Sequence, residues 1–216
     1  QHHSFITHRS QTLQIVAPLR STKSEEVKNL FFRSMINVPK EDKSRLLPNA
    51  GGWTEPDGEP RAFGFPHLIH EYSSIVICEG MADYFAAECL LDCEHKILPI
   101  GASNADGICR WAQYLIKTQY CGHVFILHQL DKDENGELST KRIGPSKAIS
   151  ALKSLRENGI KSHIFDWPYY LSNTTTHPSQ VQDIADSLSN NLRFKEGSFE
   201  FLQEYFLVTL TKEWDT

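Results

Sequence analysis

Three groups of carboxylates in this chain share one kind of position. Glu79-Gly80-Met81-Ala82-Asp83 follows the apolar run 74–78, and Asp131-Lys132-Asp133-Glu134-Asn135-Gly136 comes shortly after the run 123–127. Asp183-Ile184-Ala185-Asp186 follows a fourth run, 162–165, after a longer link. An acid at a helix start suits the helix dipole and by itself says little. Three such groups at corresponding ends of apolar runs say more. Carboxylates that converge repel one another unless a cation lies between them, and hard oxygen donors suit Mg²⁺. A carboxylate beside such a cation can serve as a general acid or base.

The elements that must position these acids follow from the pattern around them. The runs 74–78, 97–100, 123–127 and 162–165 are short, continuous and rich in β-branched residues, as expected of strands buried on both faces. Between them, 81–91, 106–118 and a segment from Pro145 to about Asn158 read as helices, the last closed by Gly159. Further helices are expected over 179–190 and 198–212. Strand and helix alternating in this way predict an α/β fold: a mostly parallel sheet with helices on both faces. In such sheets, sites form at the carboxyl ends of the strands.

The first seventy residues differ. A strand is expected near 13–19. A helix is expected over 24–36, where Thr22 and Glu25 fit a capping box and Val27, Leu30, Phe31 and Met35 recur at helical spacing. Residues 37–66 carry five prolines and four glycines and read as loop. The organisation expected is a small α+β appendage over 1–70, the main α/β domain over 71–190 and a C-terminal helix over 191–216.

Composition excludes several classes. The 216 residues are 40% hydrophobic and include 12 Phe, 4 Trp and 7 Tyr, too many for a disordered chain. No apolar run reaches the length of a membrane span, and no signal peptide is evident. Cys89, Cys93 and His95 lack a second ligand pair at zinc spacing, so the five cysteines read as reduced thiols, and a cytoplasmic location is expected. Asp131 to Gly136 matches the first half of a calcium loop, but its twelfth position is Arg142 rather than Glu and a strand precedes it.

The pattern E-G-x-x-D (Glu79, Gly80, Asp83) at a strand end, with D-x-D-x-x-G (Asp131, Asp133, Gly136) after a later strand, resembles the TOPRIM domain. That domain is shared by bacterial-type primases, type IA and II topoisomerases, OLD-family nucleases and RecR-type recombination proteins. Residues 75–87, I-V-I-C-E-G-M-A-D-Y-F-A-A, resemble the first motif of phage and mobile-element primases, and 97–104, I-L-P-I-G-A-S-N, resemble the second strand and its turn. The chain departs from the pattern where His128-Gln129-Leu130 separate the apolar run from Asp131, and where 137–144 lengthen the link to the next helix.

The resemblance implies Mg²⁺ (or Mn²⁺) held by Asp131 and Asp133. Glu79 would be a catalytic acid or base or a further ligand, and Asp83 a catalytic or metal-binding group. Gly80 and Gly136 would make the backbone turns, and Asp183 and Asp186 would be accessory acids. Lys141, Arg142 and Lys147 are candidates for a triphosphate, and Arg33, Lys40, Lys43 and Arg45 for nucleic acid. Implied partners are a DNA or RNA/DNA template, nucleoside triphosphates and a helicase or other replication domain. The implied activity is primase-type nucleotidyl transfer, with a metal-dependent nuclease or a non-catalytic recombination mediator as alternatives.

Overall fold

The fold was read from a computed structural model. It describes residues 5–9, 12–34, 43–91, 96–129 and 143–165. The chain forms two compact units, Gln1–Ile69 and His70–Thr216.

In the first unit, strands β1 (Phe5–Arg9), β2 (Thr12–Arg20), β3 (Val27–Ser34) and β4 (Ser44–Leu46) form an antiparallel sheet in that order. A short strand β5 (Phe63–Gly64) follows. The helix expected over 24–36 is therefore strand β3. The reason lies in both its pattern and its supposed cap. Asn29 and Phe31 are buried at a spacing of two, and Phe31 stands opposite both Ala17 of β2 and Leu46 of β4. The hydroxyl of Thr22 donates to Glu59 Oε2 at 2.8 Å, so it caps no helix, and Ser21 Oγ accepts from Lys23 N in a local turn.

The part of 37–66 that is described is a packed segment. Phe31, Trp53 and Phe63 form an aromatic cluster with ring centroids 5.4 to 5.8 Å apart. The buried Arg61 guanidinium donates to Ala50 O, Gly52 O and Glu55 Oε2. Gly51 has φ +79°, and a Cβ there would stand 2.9 Å from Arg61 Nη1, so this turn needs a residue without one.

In the second unit the alternation read from sequence is realised. It contains β6 (Ser74–Cys78), α1 (Met81–Leu90), β7 (Ile97–Gly101), α2 (Ala105–Lys117), β8 (His123–Leu127), α3 (Ile143–Glu157) and β9 (Ser162–Ile164). The four strands are parallel and lie in the order β7-β6-β8-β9. Ile75, Val76, Ile77 and Cys78 are wholly buried, as a central strand covered on both faces requires. Helix α1 packs on β6 and β7, while α2 and α3 pack on each other. The chain leaves β6 toward β7 and then returns past it to reach β8, so crossovers of the usual right hand send α1 and α2 to opposite faces.

Local signals set the helix ends. Asn104 Oδ1 accepts from Gly107 N at 2.9 Å and caps α2. After α3, Gly159 takes φ +76°, and Ile160 N returns to Leu155 O. Among the described residues no helix is long and apolar enough to cross a membrane. The helices expected over 179–190 and 198–212 lie outside the described residues.

Candidate functional site

The first strand of the parallel sheet, β6, has β7 on one side and β8 on the other, so the strand order reverses across it. A crevice opens at the carboxyl end of such a strand. Both neighbours hold its last residues there. Cys78 O accepts from Ala102 N at 2.7 Å, and Glu79 N donates to Leu127 O at 3.0 Å. Glu79 is thus fixed by the sheet ladder one residue beyond β6. Gly80, extended at φ −132°, ψ 177°, caps α1 without a side chain, and Tyr84 N donates to its carbonyl at 3.1 Å. Asp83 falls in the first turn of α1, where the helix dipole favours a negative charge.

Both carboxylates are buried: Glu79 is 8% exposed and Asp83 1%. Buried carboxylates need donors, and Gln129 supplies one to each. Its backbone N–H donates to Glu79 Oε2 at 2.8 Å, and its side-chain Nε2 donates to Asp83 Oδ2, also at 2.8 Å. His128 Nδ1 lies 3.1 Å from the Gln129 carbonyl and donates to it in the Nδ1–H tautomer.

Helix α3 closes in through Gly144. A Cβ at this position would stand 2.8 Å from Glu79 Oε2 and 2.5 Å from Gln129 O. At Gly80 a Cβ would come within 3.4 Å of Asp83 Oδ2 and of Gln129 Nε2. Gly144 permits a close approach of backbone to carboxylate, whereas the contacts a Cβ would make at Gly80 are of ordinary length. Beneath them the Cys78 thiol is fully buried and its pKa is pushed well up, first by burial and then by the charges of Asp83 and Glu88. It is an unreactive core group.

Of the residues expected from sequence, Glu79, Gly80 and Asp83 come together. Lys147 is instead ion-paired with Asp106 at 2.8 Å, linking α3 to α2, and this raises the lysine pKa and lowers that of the acid. Asp131, Asp133, Gly136, Lys141, Arg142, Asp183 and Asp186 lie outside the described residues. Gln129 and Gly144 were missed in the sequence. Gln129 read as a spacer before Asp131, and Gly144 as the end of a polar link. Gly144 carried one usable signal, its place beside Pro145 at a helix start.

The donor set is carboxylate oxygen, which fits Mg²⁺ or Mn²⁺ better than a softer metal. Among the described residues no group of three or more His, Cys, Asp or Glu could hold a metal ion. Glu79 and Asp83 are the two candidate acids that the described residues bring together.

No family model matches the sequence, and no curated protein matches it. Solved structures do match the fold. A bacteriophage T7 assembly, in which lagging-strand DNA polymerase interacts with primase domains bound to an RNA/DNA hybrid and dTTP, aligns with TM-score 0.58 at 15% identity. The alignment covers 94% of this chain and 82% of that one. The primase fragment of the bacteriophage T7 primase-helicase aligns with TM-score 0.55 at 13% identity, over 93% of this chain and 66% of that one. A DNA primase domain from Pseudomonas aeruginosa aligns with TM-score 0.48 at 14% identity, over 94% and 55%. The chain resembles the TOPRIM core of phage primases in fold as it does in motif.

Proposed function

We propose that this chain is a primase-type nucleotidyltransferase, acting in the cytoplasm on a DNA or RNA/DNA template as part of a phage or mobile-element replication protein. The observation that carries the reading is the buried Glu79–Gln129–Asp83 cluster at the carboxyl end of β6, in a fold like that of primase domains. In this reading 71–190 is the TOPRIM domain, 1–70 flanks it and 191–216 adds a helix. A helicase or other replication domain is the expected partner.

Glu79, Asp131 and Asp133 would hold Mg²⁺ or Mn²⁺, with Asp83 beside them and Asp183 and Asp186 as accessory acids. The cation would neutralise charge on the phosphates during in-line displacement. Glu79 is the candidate general acid or base toward the 3′-oxygen. Its Oε2 is taken up by Gln129 N–H, which leaves Oε1 as the oxygen Gln129 does not engage. Lys141, Arg142 and Lys147 are the candidates for binding a triphosphate, the last only by leaving its ion pair with Asp106.

The test is primer synthesis from labelled nucleoside triphosphates on single-stranded DNA. Glu79→Gln removes the proton-transfer group while keeping its size, and synthesis is expected to fall by roughly 10²–10⁴-fold. Asp131→Ala/Asp133→Ala should abolish it. Synthesis untouched by Glu79→Gln would overturn the reading. Cleavage of DNA without triphosphates would replace it with a nuclease.

A further inference from the structure

Resting on that reading of the site, we infer that Arg110, held by the Ser103 hydroxyl, is a binding residue for the phosphates of a nucleoside triphosphate. Three observations carry this. The first is position. Ala102 N donates to Cys78 O at 2.7 Å, so the turn after β7 is tied to the residue before Glu79, and Ser103 is the next residue in that turn. Arg110 lies in α2, whose side chains lean back toward the helix start, and its Nη2 donates to Ser103 Oγ at 3.2 Å.

The second is how firmly the turn is held. Gly107 brings α2 against it: a Cβ there would stand 2.8 Å from Ala102 O and 2.9 Å from Ser103 Oγ. Ser103 takes φ +37°, a left-handed backbone that strains a residue with a side chain, and such strain gathers at functional sites. The third is charge. Asp106, one turn before Arg110, feels the arginine through space but is ion-paired with Lys147 at 2.8 Å. Arg110 itself forms no ion pair among the described residues. Its guanidinium is partly buried and spends one nitrogen on Ser103, which leaves a planar fork of donors suited to phosphate. A triphosphate crowds several negative charges together, and its reacting phosphorus must come within reach of Glu79. Lys141, Arg142 and Lys147 all follow β8 in the chain, whereas the turn that orients Arg110 follows β7, on the other side of β6.

The experiment is calorimetric titration of ATP with Mn²⁺ into the whole chain, beside anisotropy of a single-stranded oligonucleotide and urea unfolding of each variant. Arg110→Gln removes the charge and keeps a polar group. It is expected to weaken ATP binding by roughly tenfold and to leave oligonucleotide affinity as it was. Ser103→Ala removes the anchor but keeps the cation, so its loss of ATP affinity should be the smaller. If Arg110 merely braced the turn, both variants would lower the urea midpoint and neither would change ATP affinity. That result, or a loss confined to the oligonucleotide, would overturn the inference and leave the nucleotidyl-transfer reading standing. No ATP binding by the wild type would overturn both.

Discussion

At the scale of single residues, the site depends on atoms that are absent as much as on those present. Gly144 approaches Glu79 so closely that a methyl group there would lie within 2.8 Å of a carboxylate oxygen and 2.5 Å of the Gln129 carbonyl. The carbonyl is backbone and cannot swing aside. Gly144→Ala should therefore destabilise the chain by about 1–3 kcal/mol, the usual cost of overpacking. Mn²⁺ affinity should fall as well, because Glu79 must shift. Urea unfolding and calorimetry on the same preparation check both effects. Lys153→Ala, at an exposed position of the same helix, should show neither. Glu79, Gly80 and Asp83 were readable from sequence because their spacing is local: a strand end, a turn, the first turn of a helix. Gln129 was not. Its role depends on the register of β6 against β8, and that pairing brings together residues fifty positions apart.

At the scale of elements, the parallel sheet was readable, while of the first sheet the strand near 13–19 was read, as β2, and β3 was not, for one physical reason. A continuous apolar run such as Ile75-Val76-Ile77-Cys78, bounded by turn residues, has few other ways to be buried. The segment 27–34 has apolar residues that satisfy both a period of two and a period near four, and β2 and β4 decide between them. The far edge of the parallel sheet gives a prediction. His123 of β8 stacks on Phe125 with ring centroids 4.7 Å apart, and His163 of β9 packs 4.8 Å from His123. Burial, then His123 and Arg156, push the His163 pKa down to about 4; burial, then Lys161, lower that of His123. A histidine with a depressed folded pKa binds fewer protons folded than unfolded between that value and the ordinary one near 6.5. Stability should therefore fall as pH drops from about 6.5 toward 4 and level off below. His163→Gln should flatten that slope in urea midpoints measured against pH. An equal slope in the variant would show that the acids, not this pair, set the dependence.

At the scale of the whole molecule, charge is divided along the sequence. Residues 1–70 carry 9 Lys+Arg against 7 Asp+Glu, and residues 71–216 carry 13 against 20, within a net charge of −5. A nucleic-acid phosphate is repelled by the second group taken as a whole, so binding to a template must draw on particular cations. The best placed among the described residues is Arg45. It is exposed on β4, the last strand in its sheet's order, with its guanidinium 5.3 Å from the centre of the Phe32 ring. An arginine held over an aromatic ring can face both a phosphate and a base. Affinity for a fluorescent single-stranded oligonucleotide, measured by anisotropy across a salt series, tests this. A cation that neutralises one phosphate of a single strand adds roughly 0.7 to the slope of log affinity against log salt. Arg45→Ala should reduce the slope by about that amount and weaken binding by a similar factor on every sequence, as expected for a cation that meets phosphate rather than a base edge. Arg45→Lys keeps the charge but not the planar group, so it should restore the slope without restoring all of the affinity. An unchanged slope in Arg45→Ala would place the template's phosphates on other cations, and Lys43, exposed one position before β4, is the next to substitute.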